Sequence, residues 1–174
     1  FDDRYLLTVS ARQDGASQFA PDNKYSIFPS AAVAWRINRE AFMENIRWVN
    51  DLKLRVGAGV TGNSAIDAYA TKGAITPLFY PFASTITAAS LPSSVYANPE
   101  LAWEKTTQYN LGLDFALFNR RISGAIDVYT SQTKDLLMAR SVPTVTGFSS
   151  TFQNIGQTAN RGVDINLSTV NMSG

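Results

Sequence analysis

The chain contains no cysteine and no histidine among its 174 residues. The first absence removes disulfide scaffolds, thiolate metal sites and cysteine nucleophiles; the second removes the commonest general base and the commonest transition-metal ligand. Charge is also scarce, at 17% of residues against roughly 25% in a typical soluble domain. Fifteen basic and fourteen acidic side chains leave a net charge of +1, with no Lys/Arg run of the kind a phosphate backbone demands. Nucleic acid is therefore not expected as a partner, and no metal or organic cofactor is expected. Carboxylates and carbonyls can still hold calcium, but Asp67 and Asp135 are too isolated to match a calcium-loop pattern. No stretch approaches 18 consecutive apolar residues, so no membrane-crossing helix is expected, an absence that says nothing about strands.

What the chain does have is alternation. From Trp103 the odd positions Tyr109, Leu111, Leu113, Phe115 and Leu117 oppose the even positions Glu104, Thr106, Gln108, Asn110 and Asp114. That period of two marks a strand with one oily and one wet face. After Phe118–Arg121 the pattern restarts at Ile122, which predicts a tight hairpin. Similar alternation over 4–13, 27–37, 51–61 and 159–169 completes six expected antiparallel strands with 104–117 and 121–131. Residues 38–50 carry the one helical spacing, expected as a short helix or helical turn that tucks Phe42 and Trp48 against a sheet end, or alternatively as an amphipathic surface anchor. Segments 62–101 and 131–157 lack sustained periodicity and are expected as long irregular loops.

Antiparallel succession places the longer connections, 14–25, 62–101 and 131–157, at one end and the shorter ones at the other. Long strands with this asymmetry point to an all-β, antiparallel outer-membrane β-barrel segment of about six long strands. A long hairpin in a soluble antiparallel sheet remains the competing reading. Charges cluster on the face opposite the oily one, so Arg12, Lys53, Arg55, Asp114, Asp127 and Asp164 are expected to face a polar lumen. Trp103 and Phe115, twelve positions apart on one face, are expected to mark two aromatic girdles, roughly 30 Å apart along the axis. Six strands cannot close such a barrel, whose single-chain forms begin at eight, so the chain is expected to be part of a larger wall or to associate with further copies.

Chemistry is harder to find. The glycines of GAGVTGN, Gly57, Gly59 and Gly62, match neither nucleotide-loop pattern and sit on a strand. Asp114, Asp127 and Asp164 admit an acid/base reading if their strands adjoin, or simple pairing with Lys53, Arg55 or Arg121; without a register their separation is open. In the long loop, Phe79, Tyr80, Phe82 and Tyr96 either stack on a sugar or pack the loop against its neighbours. With no cleft and no positioned base legible, an enzyme is not expected.

Six blocks then resemble one family in its own order: YLLTVSARQDGASQF from Tyr5, FPSAAVAW from Phe28, LKLRVGAGVTGN from Leu52, NPELAWEKTTQYNLGLDFALFNRRISGAIDVY from Asn98, TKDLL from Thr133 and TGFSSTFQNIGQTANRGVDINL from Thr146. The chain resembles the C-terminal barrel region of the SusC/RagA-type TonB-linked outer-membrane transporters of Bacteroidetes. That resemblance implies a plugged 22-stranded barrel importing oligosaccharides or peptides with TonB and proton-motive energy, often beneath a SusD-like lipoprotein lid. It also implies that residues 1–174 are a partial transporter barrel region without the plug, located in the cell outer membrane, in contact with its lipid. The alternative is a surface-exposed β-sandwich or adhesin-like module that binds without transporting; it requires Leu52, Leu54, Val56, Leu111, Leu113, Val163 and Ile165 to meet a second sheet.

Overall fold

The computed structural model describes residues 3–68, 70–72, 75–82, 85–92 and 94–171. All six periodic segments are strands of one antiparallel sheet: β1 (Tyr5–Gly15), β2 (Tyr25–Arg36), β3 (Val49–Asn63), β7 (Glu104–Leu117), β8 (Ile122–Lys134) and β11 (Gln157–Thr169), in the order β1-β2-β3-β7-β8-β11. Two small sheets lie in the long connections. One pairs β4 (Ile75–Phe82) with β5 (Thr85–Pro92); the other combines β6 (Val95–Tyr96), β10 (Ser150–Asn154) and β9 (Leu137–Ser141) in that order. The segments expected as irregular loops are therefore partly sheet. Their Pro, Ser and Thr content hides strands that pair locally or across 55 residues, a relation no period within one segment can display.

The expected outer-membrane β-barrel segment is corrected: the six antiparallel strands form an open sheet, not closed into a barrel. β1 pairs only with β2 and β11 only with β8, so the two outer strands do not meet. Alternation specifies the faces of each strand and says nothing of closure, which depends on how many strands stand side by side.

Register brings the alternating faces together. Val33 lies opposite Val56, Val56 opposite Leu111, Leu111 opposite Val128 and Val128 opposite Val163, a single apolar row crossing five strands. Leu7, opposite Val33, extends it to the sixth. This face is uncovered: Leu7 and Ile165 are 71% and 72% exposed. The compact core lies elsewhere, at the long-connection end of the polar face. There Phe28, Phe19, Trp103, Leu101, Ala16 and Ile66 bury one another, Leu101 completely. Trp103 packs 5.5 Å from Phe19 and 5.4 Å from Phe28, measured between ring centroids. The expected girdle position of Trp103 is thus corrected. It precedes the first residue of β7, so the strand's alternation does not govern where its ring points.

At the short-connection end the short helix or helical turn expected over 38–50 takes the form of two 3-10 turns, Ile37–Arg39 and Ala41–Met43. Phe42 stays exposed, while Trp48 stacks on Phe118 with centroids 5.8 Å apart. The β7–β8 turn holds Phe118, Asn119 and Arg120 at φ of 52°, 56° and 62°. Such left-handed backbone costs a non-glycine residue roughly 1–2 kcal/mol. Anchors to the start of β3 offset that cost: the Phe118 N–H donates to the Trp48 carbonyl at 2.8 Å and the Arg120 N–H to Asn50 Oδ1 at 3.1 Å.

Glu40 ties the same end to the apolar face. It accepts from the Trp35 indole at 2.9 Å and from the Tyr5 hydroxyl at 2.8 Å, with Arg4 3.5 Å away. The Trp35 hydrogen bond, then that from Tyr5, holds the Glu40 carboxyl below the usual glutamate range. A carboxyl depressed in the folded state contributes stability above its unfolded pKa, and that contribution is lost as pH falls through the depressed value. The Trp35 indole N–H resonance is expected to hold its position across the ordinary glutamate range and to move only at lower pH. In Glu40→Gln, which accepts without titrating, the acid shift should vanish; an unchanged shift in that variant would dissociate Glu40 from the effect.

Candidate functional site

The polar face carries one connected charge network. β3 and β7 run antiparallel with Lys53 opposite Asp114 and Arg55 opposite Gly112, and β8 places Asp127 beyond Gly112. Arg55 donates from Nε to Asp114 Oδ2 at 2.9 Å and from one terminal nitrogen to Asp114 Oδ1 at 2.8 Å. That same nitrogen donates to both oxygens of Asp127, at 3.0 and 3.2 Å, and Lys53 Nζ sits 3.3 Å from Asp114. Two cations and two carboxylates thus balance across three strands. Gly112 makes the crossing possible: a Cβ there would lie 2.8 Å from the guanidinium carbon of Arg55 and collide with the Asp127 carboxylate. Satisfied ion pairs of this kind fix strand register and present a neutral polar surface; they offer no unpaired base for proton transfer.

The remaining polar-face residues stand outside that network. Arg12 pairs with Asp14 at 3.0 Å near the end of β1. Asp164 is exposed on the outer strand β11, directly opposite Asp127 in register, and Arg121 does not join the network. All six of Arg12, Lys53, Arg55, Asp114, Asp127 and Asp164 share the polar face; only Lys53, Arg55, Asp114 and Asp127 are brought together.

At the long-connection end, Phe79 is exposed on β4 and Tyr96 is exposed on β6. Tyr80 and Phe82 also belong to β4, and their side chains lie outside the described residues. Tyr96 meets Phe148 edge-on, with centroids 5.0 Å apart. Sequence reading did not single out Phe148, which lies 52 positions away in another connection. The pairing of β6 with β10 brings the two together, reinforced by Ser149 N–H donating to the Ser94 carbonyl at 2.7 Å and Thr151 Oγ1 donating to the Tyr96 carbonyl at 3.1 Å. Asn154 clasps the Ala102 backbone from both sides, accepting its N–H and donating to its carbonyl at 2.8 Å each. The small sheet is thereby fastened to the approach to β7. Among the described residues no group of three or more acidic side chains stands close enough to hold a metal ion.

Comparison with known proteins places the chain in a family. The family described as TonB dependent receptor-like, beta-barrel matches residues 1–173. The TonB-dependent receptor P26 of Formosa agariphila is 40% identical over 172 residues, covering 99% of this chain and 17% of that protein. TonB-dependent receptor SusC of Bacteroides thetaiotaomicron is 41% identical, covering 94% of this chain and 17% of its own length. Among solved structures, the RagAB peptide importer in its closed-closed state superposes with a TM-score of 0.87 at 32% identity, covering all of this chain and 19% of the importer chain. The open-open state gives a TM-score of 0.86 at 33% identity. The chain therefore spans about a sixth of the length of these curated relatives. The expected identification as a C-terminal barrel fragment is corrected to a relationship at the level of the family, because the six-stranded sheet of this chain is open at both sides. At that level the conclusion is plain: the chain belongs to the TonB dependent receptor-like family.

Proposed function

We propose that the protein carrying this chain takes up a bulky nutrient across the outer membrane, and that this chain contributes a two-faced sheet and substrate-side connections without catalysing a reaction. One observation carries the reading: a continuous apolar face runs uncovered across all six strands while the charge network lies on the opposite face. A soluble sheet buries such a face, and an uncovered one of this extent marks contact with lipid or a partner. Among the described residues no second sheet covers Leu52, Leu54, Val56, Leu111, Leu113, Val163 and Ile165, which disfavours the adhesin-like sandwich.

The cargo is an oligosaccharide or a peptide, with a glycan preferred for the flat rings that Phe79 and Tyr96 expose at the long-connection end. The similarity to the RagAB peptide importer supports the peptide class. A SusD-like lipoprotein lid and TonB are the partners this reading requires. They would be met by the whole protein, of which residues 1–174 supply a part without the plug.

Topology tests the proposal. On intact cells bearing the full-length protein, cysteines introduced at Val145, which is 93% exposed, and at Ser149 are expected to react with a membrane-impermeant thiol reagent, whereas one at Asn119 is not. Reaction at Asn119 with protection at the other two positions would take the long connections away from the substrate side and remove the proposal. Ser84, a further labelling position expected in the connection 62–101, lies outside the described residues.

A further inference from the structure

The apolar face is not uniform. Toward the long connections its row steps down to Ala31 and Ala58, which face each other across β2 and β3, between the larger side chains of Val33 and Val56 on one side and Tyr109 on the other. A shallow groove of about 800 Å³ opens there, and Arg161 forms part of its wall. Arg161 lies opposite Thr130 on β8, which lies opposite Tyr109 on β7, so all three share the face. Four residues further along, roughly 13 Å by strand rise, Lys105 stands directly opposite Lys134 on that face. Like charges placed opposite each other on a sheet are destabilising unless something compensates them. Among the described residues no carboxylate pairs with Lys105, Lys134 or Arg161, and all three are exposed. The acid adjoining Lys105 is committed to the opposite face: Glu104 accepts from Asn63 and from the Leu137 N–H. A shallow groove in the oily band thus holds one uncompensated cation, Arg161, in its wall, with Lys105 and Lys134 beyond it on the same face.

We infer that this groove and its cations bind one phosphate-bearing acyl lipid, whose chain lies over Ala31, Ala58 and Leu111 and whose anionic headgroup meets Arg161, with Lys105 and Lys134 drawing further negative charge. Charge complementarity selects the occupant. A protein partner of the apolar band would have no need of cations aligned at its border, whereas an anionic lipid presents a hydrocarbon chain and a negative headgroup in that order, and each basic side chain near such headgroups adds to the attraction. The inference rests on the reading that the apolar face meets lipid, and goes beyond it by assigning a preferred lipid and a fixed place.

The test uses the full-length protein, stripped of lipid in a neutral maltoside detergent and offered phosphatidylglycerol or phosphatidylcholine with identical chains, bound lipid being counted by native mass spectrometry. Phosphatidylglycerol is expected to be retained about tenfold better. The preference should fall to near unity in Arg161→Gln and in the Lys105→Gln/Lys134→Gln double variant, and persist in Arg12→Gln, which removes a cation from the opposite face. Ala58→Phe, which fills the groove, should reduce retention of both lipids at that site; the cation variants decide the matter should that protein not fold. Equal retention of the two lipids, or a preference untouched by the Gln variants, overturns the inference while leaving the lipid-facing reading intact. Retention of neither lipid removes both. Displacement of phosphatidylglycerol by inorganic phosphate would show that the cations hold an anion without the chain, which also overturns it.

Discussion

Arg55→Met is expected to destabilise the sheet by about 2 kcal/mol, measured by urea unfolding of the full-length protein in detergent micelles. The guanidinium supplies hydrogen bonds to two carboxylates on two different strands. A hydrogen bond to a charged group is worth ~1.5–3 kcal/mol, and leaving its partner behind adds that partner's desolvation. Removing one member of a fully buried pair costs about 3–5 kcal/mol, but Arg55, Asp114 and Asp127 keep 38%, 30% and 29% of their side-chain surface, so solvent screening lowers the figure. Lys53 compensates Asp114 in part, whereas Asp127 has no second cation among the described ion pairs. Arg55→Met/Asp127→Asn should therefore recover more of the lost stability than Arg55→Met/Asp114→Asn. Equal recovery in the two double variants would mean that Lys53 does not share Asp114 with Arg55, and an Arg55→Met protein as stable as the parent would deny the network any role in holding three strands in register.

The way this network assembles shows what alternation can and cannot reveal. Period two assigned Lys53, Arg55, Asp114 and Asp127 to one face, because successive strand residues point to opposite sides. It left open whether Asp164 or Arg121 belonged with them, since that depends on register. Register is set here by whole-strand pairing: Arg55 falls opposite Gly112 and not Asp114, so its side chain crosses a residue without a Cβ to reach both acids. Trp103 failed as a girdle residue for a related reason. It stands one position before β7 begins, where chain direction is decided by the core it enters with Phe19 and Phe28. The β6–β10 pairing that unites Tyr96 with Phe148 is parallel, two residues long and closes a separation of more than fifty positions, so neither segment carries a local trace of it. Whether a strand belongs to an open sheet or to a barrel wall is likewise not written in its own alternation, because its two faces read alike in both.

Filling the space above Gly62 is expected to damage the long-connection end most. A Cβ on Gly62 would enter the ring of Phe28, overlapping its far edge and lying 3.0 Å from Cε2. The ring cannot retreat, because Phe28 is 3% exposed and its other side meets Trp103. Overpacking of this kind costs about 1–3 kcal/mol, and Gly62→Val, with a branched side chain, should lie at the upper end. Phe28→Ala removes the ring instead and should cost ~3–5 kcal/mol through lost burial and the cavity beneath Trp103. Because the two changes act on the same space, Gly62→Val/Phe28→Ala should be less destabilised than the sum of the single variants by at least about 1 kcal/mol, the excess expected for residues in contact. Limited proteolysis offers a second measure: the core packs Ile66 and Leu101, near the two ends of the β3–β7 connection, so either single variant should speed cleavage within 64–103 while leaving the β7–β8 turn protected. Additive energies in the double variant would place Phe28 and Gly62 apart in solution, and uniform cleavage at both ends of the sheet would show that the core does not hold the long connections separately from the strands.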